Sequence, residues 1–177
     1  MPTMAKEGKL AEIRQRIYDL EARASSGPPE MQERLRRRLD ALLDDAEAAD
    51  AAIDERTVLA EEKLFDLEAR VDSTAKRVSA ELSGDKESFE HAVEEELDGW
   101  NAAIERLQAR AAVKATSARD QAETSVAELR QARIQAAERL AEARSSTGGA
   151  WEEQKKRVTA ALDDLEQRAR EAAAKFK

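Results

Sequence analysis

The chain has 177 residues, of which 38% are charged, 41% hydrophobic and 3% aromatic, and 36 of them are alanine; larger apolar residues fill only about one position in five, enough for a narrow helical stripe but short of the three in seven that a globular core asks for. With no cysteine and one histidine, the chain excludes a disulfide framework, a thiolate or histidine-rich zinc site and a cysteine nucleophile, and without a run of about 18 apolar residues it holds no membrane span. The net charge of −8 argues against general nucleic-acid affinity, and Met1 to Leu10 lacks the apolar centre of an export leader, which leads to the expectation of a cytoplasmic protein.

Glycine, proline and serine punctuate the chain in clusters: Ser25-Ser26-Gly27-Pro28-Pro29, Ser83-Gly84-Asp85, and Ser145-Ser146-Thr147-Gly148-Gly149. These clusters are helix boundaries, and proline at a helix start costs little because its N–H would be unpaired there. The punctuation predicts helices over about 5–24, 29–82, 86–145 and 150–176. At Gly84 both a break and a bent continuous helix stay open, since one glycine costs only about 1 kcal/mol inside a helix. Gly99 has no such neighbours and is read as interior to the third helix.

Apolar spacing agrees. Leu10, Ile13, Ile17 and Leu20 mark the first helix. Leu35, Leu39, Leu42, Ala46, Ala49 and Ile53, then Leu64, Leu67, Val71 and Val78, mark the second. Val158, Leu162, Leu165, Ala169, Ala172 and Phe176 mark the fourth. These are heptad-type seams, in which positions three and four apart share a face. The third helix carries an 11-residue period instead: Ile104 and Leu107, Ala115 and Ala118, Val126 and Leu129, Ala137 and Leu140. That period favours a straight or slightly right-handed seam, with close approach at the alanine pair.

At 1.5 Å per residue the second and third helices would be about 80 and 90 Å long. Reversal near Gly84 makes them a long antiparallel helical hairpin. The two shorter helices fold back at Gly27-Pro28 and Gly148-Gly149 onto one end of it as a four-helix bundle. The expectation is therefore an all-α protein with an N-terminal helical segment, 1–84, and a C-terminal coiled-coil segment, 85–177. The two outer turns are also alike, Glu21-Ala22-Arg23 preceding Ser25-Ser26 and Glu142-Ala143-Arg144 preceding Ser145-Ser146.

The second half carries further markers: Trp100-Asn101, Ile104, Leu107 and Ala109, then Glu128-Leu129-Arg130, Arg133, Ala136 and Leu140, then Gly149-Ala150-Trp151-Glu152-Glu153 with Val158, Ala161, Asp163-Asp164-Leu165 and Phe176. On these residues the stretch from about 95 to 176 resembles a bacterial family of short coiled-coil stress-response proteins. Gln154, Arg157 and Leu162 depart from that family's usual leucine, glycine and tryptophan. The resemblance implies a cytoplasmic, non-enzymatic helical protein with no catalytic residues to carry over.

Candidate sites follow from charge and aromatic content. Arg34, Arg36, Arg37 and Arg38 form a basic cluster that can hold an anion or pair with a neighbouring helix. An acidic surrounding favours pairing, with Glu12 and Glu21 as available partners. Trp100 and Trp151 are expected in the core, since a buried indole needs a partner for its N–H; as an exposed pair they would mark a partner surface. His91 stands near Glu87, Glu94 and Glu95, but one imidazole without further nitrogen or sulfur ligands is a poor metal site. The seven carboxylates between Asp85 and Asp98 lack the glycine-centred loop of a calcium hand and are expected to be a solvated hairpin tip.

No convergent set for catalysis and no cofactor motif is legible, so the expected protein is a non-enzymatic structural or interaction protein. Its expected partners are itself, as a homo-oligomer, or other proteins. Reversible lipid-surface binding by amphipathic helices is the alternative, and weak nucleic-acid association through the arginines comes third.

Overall fold

The computed structural model describes residues 2–175; Phe176, expected to close the seam of the last helix, lies outside the described residues. Six α-helices account for almost all of them: α1 Pro2–Ala24, α2 Pro29–Asp54, α3 Leu59–Ser83, α4 Lys86–Ala112, α5 Thr116–Arg144 and α6 Gly149–Lys175. Among the described residues there is no strand, and no helix is long and apolar enough to cross a membrane. The fold is all-α. It divides into two compact units, Met1–Ala92 and Val93–Lys177. The division falls inside α4, where the expectation from sequence placed it at 84/85.

The two long helices expected over 29–82 and 86–145 are each folded in half. The first reverses at Glu55–Val58 and the second at Val113–Ala115. The long hairpin thickened at one end is therefore replaced by two helical units. The physical reason is coverage. A narrow stripe on a very long helix must be shielded over its whole length, and folding the helix back lets its two halves shield each other.

Neither reversal contains glycine or proline, which is why punctuation did not find them. After α2 the chain closes through backbone hydrogen bonds. The Thr57 N–H donates to the Ala52 carbonyl at 3.0 Å and the Arg56 N–H to the Ile53 carbonyl at 3.0 Å. This is the Schellman pattern, which needs a left-handed residue at its centre. Arg56 takes that role with φ 54°, a position that glycine normally occupies. At Gly84 the break is real. This glycine adopts φ 67° and ends α3, and Asp85 starts the next helix.

In the first unit, α1, α2 and α3 all pack on one another. Leu10, Ile13, Ile17 and Leu20 of α1 close against Met31, Leu35, Leu39, Leu42 and Ile53 of α2 and Leu64, Leu67, Val71 and Val78 of α3. Gly27 leaves room at the first turn for the Met31 side chain, whose sulfur would lie 2.7 Å from a Cβ there and would have to shift. Charged pairs flank the seam. Lys6 meets Glu61 at 3.1 Å, Lys9 meets Glu68 at 2.7 Å, and Arg16 pairs with Asp72, so α1 and α3 run parallel. Arg14 bonds Asp50 at 2.9 Å between the antiparallel α1 and α2. Such exposed pairs contribute less than about 1 kcal/mol each and act chiefly in setting alignment.

In the second unit, α5 and α6 make the closest backbone approach. Small residues permit it: Ala122, Ser125, Ala132, Ala136 and Ala143 line the buried face of α5 at heptad spacing, and Ala172 lies on that of α6. The expected close approach at Ala115 and Ala118 does not occur. Both are exposed, because the chain turns there. Residues 93–112 of α4 run antiparallel to α5 and are tied to it by arginines. Arg133 Nε donates to the Leu97 carbonyl at 3.1 Å, Arg130 bonds Gln108, and Arg144 pairs with Glu94.

Arg56 carries a left-handed strain of about 1 kcal/mol that glycine would not. Arg56→Gly is expected to raise the melting temperature of the first unit by about 4–8 °C. Calorimetry of the full chain checks this, and an unchanged or lowered transition would show that the turn is not strained.

Candidate functional site

The arginine cluster of α2 is divided by its helix. Arg36 and Arg37 point to solvent, whereas Arg34 is half-buried and Arg38 is buried. Residues four apart share a face, so Arg34 and Arg38 lie together on the side turned to α3. There Arg34 Nη2 donates to Glu81 Oε2 at 3.1 Å, and Arg38 Nε donates to Thr74 Oγ1 at 2.9 Å. Thr74 in turn donates to the Arg70 carbonyl at 2.8 Å, and Arg70 pairs with Asp45 back on α2. Arg77, only 1% exposed, lies with its Nε 3.5 Å from Glu81 Oε1.

The result is a buried polar belt between α2 and α3 with the Glu81 carboxylate between two guanidiniums. The Glu81 side chain has no exposed surface. In a low-dielectric setting such a carboxylate is tolerable only while its cations are in place. Pairing, within the chain or between chains, was the expected use of the arginines, with Glu12 and Glu21 of α1 as available partners; the bonds of Arg34 and Arg38 described above go instead to Glu81 and Thr74 on α3. Chemically, the belt joins two helices and leaves Arg36 and Arg37 as the outward charges.

Glu81, Arg77 and Thr74 did not emerge from sequence reasoning. A signal did exist. Ala60, Leu67, Thr74 and Glu81 are spaced by seven and all four are buried, so a threonine and a glutamate stand on a seam that is otherwise apolar. A polar residue in such a position marks a partner across the interface.

The tryptophans do not form an exposed pair. Trp151 is buried in the first turn of α6, one heptad before Val158 on the same face, and Trp100 is half-buried on α4 between Leu97 and Ile104. His91 is exposed on α4. Among the described residues no group of three histidine, cysteine, aspartate or glutamate side chains is placed to hold a metal ion.

The acidic stretch from Asp85 to Asp98 leads into and forms the first turns of α4; Asp85, Glu87, Glu94, Glu95 and Asp98 are exposed, as expected of solvated carboxylates, whereas Glu96 is buried. Asp85 is the residue before the first helical position of α4. Its Oδ2 accepts the Ser88 hydroxyl at 2.6 Å and the Ser88 N–H at 2.9 Å, the arrangement of an N-terminal cap. These bonds, the hydroxyl first, hold the Asp85 carboxyl below its ordinary value of 3.8. A depressed carboxylate favours the folded helix at pH above its unfolded value and loses that contribution as pH falls through the folded one.

Compared with known proteins, the chain matches no family model, no curated protein and no solved structure.

Two outcomes test this geometry. Glu81→Gln leaves buried guanidinium charge uncompensated and is expected to cost about 3–5 kcal/mol, whereas replacing Arg34, Arg77 and Glu81 together by methionine, methionine and leucine recovers most of it. Urea melts of the two variants check this, and equal losses would refute a coupled belt. In an NMR titration the Asp85 carboxyl is expected to titrate below 3.8, with the Ser88 amide shift following it. Ser88→Ala moves the midpoint back towards 3.8.

Proposed function

We propose that this is a non-enzymatic helical structural or interaction protein that works through protein contacts in the cytoplasm. One observation carries the reading. The charged groups of the belt, Arg34, Arg38 and Glu81, are engaged in joining helices, while large apolar side chains stand outside the seams at one end of the first unit. Val58 is 94% exposed and Phe65 59%, with Leu59 between them. Val58 and Phe65 are one heptad apart, so they share a side of α3, and Met4, also exposed, belongs to the start of α1 where Lys6 reaches Glu61. Exposed apolar clusters with a charged rim are what protein contacts use.

The resemblance of residues 95–176 to coiled-coil stress-response proteins adds a stress-associated role, and the heptad seams support packing of the coiled-coil kind. The lipid-surface reading has weaker support, because its 11-residue helix is interrupted at Val113–Ala115 in the folded chain. Nucleic-acid association retains only Arg36 and Arg37 as outward charges.

Val58→Ser with Phe65→Ser is expected to leave the melting temperature within about 2 °C, since surface changes cost little. The same pair of changes is expected to abolish cross-links between the first unit and partner proteins in extracts from stressed cells. Cross-linking mass spectrometry with the full chain reads this. Cross-links that persist in the variant, or arise in neither protein, would remove the proposed contact.

A further inference from the structure

The α4–α5 turn, Val113–Ala115, differs from the turns before α2 and α6. The turn before α2 is locked by sequence: Pro28 sits at φ −59° and ψ 151°, and Pro29 is the first helical residue. Ala115 has almost the same backbone, φ −62° and ψ 154°, and Thr116 is the first helical residue of α5. Here, however, neither position is proline, there is no glycine, and no side chain caps the helix start. The Glu55–Val58 turn also lacks both residues, but it is held by the Arg56 and Thr57 backbone bonds, with the Thr57 hydroxyl donating to the Ala52 carbonyl at 3.3 Å. The 113–115 turn is closed by the Lys114 N–H donating to the Ala111 carbonyl at 3.1 Å and by Arg119 Nη2 donating to the Ala112 carbonyl at 2.5 Å, but none of its residue types opposes a continuous helix.

The seam itself passes through this turn. Ala111 and Ala122 are buried at its two sides, and Ala115 and Ala118 are exposed within it. The four are spaced 4, 3 and 4, in phase with Ile104 and Leu107 before them and Val126 and Leu129 after. Ala115 and Ala118 thus keep the seam spacing although the turn exposes both. A straight helix over 86–144 needs both of them, since they join the two halves into one unbroken stripe. The second unit also has an element that can leave. α5 and α6 lie close together, whereas α4 stands further from α5 and reaches it through Arg130, Arg133 and Arg144.

We propose that Val113–Ala115 is a hinge that straightens, and that two copies of this chain exchange residues 93–112 of α4 to form a dimer. Each α5–α6 pair is then completed by α4 from the other copy. The occupant must be a second copy because the exchanged contacts are those already made within one chain. Val93, Leu97 and Ile104 return to an equivalent seam, and Arg133, Arg130 and Arg144 regain Leu97, Gln108 and Glu94. Only the hinge changes, from turn to helix, and exchange of an identical element is a low-cost route to a dimer. The inference does not depend on the contact surface proposed for the first unit.

The test uses the full chain. The absence of cysteine allows Glu105→Cys and Gln131→Cys to be spin-labelled as a pair. The Arg130–Gln108 and Arg144–Glu94 bonds place the two positions at about the same level on antiparallel helices, and in a straight helix they lie about 39 Å apart. The labelled protein is diluted into unlabelled protein at ~1 mM, warmed near its melting point and cooled. Light scattering gives the mass, and electron-electron resonance the distance. The expected result is a dimer fraction carrying the distance near 39 Å, with helical content unchanged. Thr116→Pro suits the closed turn, because Ala115 already has the backbone a following proline requires and the Thr116 N–H lies at an unbonded helix start. Proline would break the straight helix, so this variant is expected to lower the dimerisation constant at least about a hundredfold. The proposal is overturned if the unmodified chain stays monomeric, if its dimer keeps the short distance, or if Thr116→Pro dimerises equally well.

Discussion

Every helix of this protein has one narrow apolar stripe, and the fold follows from the need to cover it. With about one large apolar residue in five, a single helix cannot bury a broad face, and two helices leave the seam between them open on one side. A third helix closes it. In the first unit Ile17, Leu42 and Val71, one from each helix, are all essentially without exposed surface. Alanine extends this economy. Where the large residues run out, as along α5, small ones allow the backbones to approach, so dispersion contacts replace bulk.

Charge works around the same seam. Most ion pairs lie at its edges, where water weakens them and their role is alignment. The belt at Glu81 is different, because it penetrates the seam. There the alignment of α2 and α3 is coupled to the Arg34–Glu81 pair, and a shift that separates the two weakens the compensation of a buried carboxylate. The belt therefore makes one alignment of these helices much better than its neighbours, as buried polar groups do in coiled coils.

These two constraints suit a protein of contacts. Charged side chains are engaged between helices or dispersed on outer faces, and of the exposed large apolar residues Met4, Val58, Leu59 and Val113 stand at turns or helix starts while Tyr18, Phe65 and Ile134 lie within helices. Val58 and Val113 stand at the two turns that lack glycine and proline. These two turns thus reverse the chain and also offer apolar surface.

The helical class, helix ends within a residue of Ala24, Pro29, Ser83, Arg144 and Gly149, and most of the large apolar seam positions were legible in the residues, because spacing and glycine–proline punctuation are local signals. The residues also suggested that the arginines pair, within the chain or between chains, but not that α3 supplies the partner. The reversals at Arg56 and Val113 were not legible, since each is made of residues that accept a helix and the gain comes from covering a stripe with its own continuation. For the same reason Glu81 was not seen as the partner of Arg34. A sequence determines which face of a helix must be hidden; only the tertiary structure decides what hides it, because identical seams can close within a turn, along a rod or between copies.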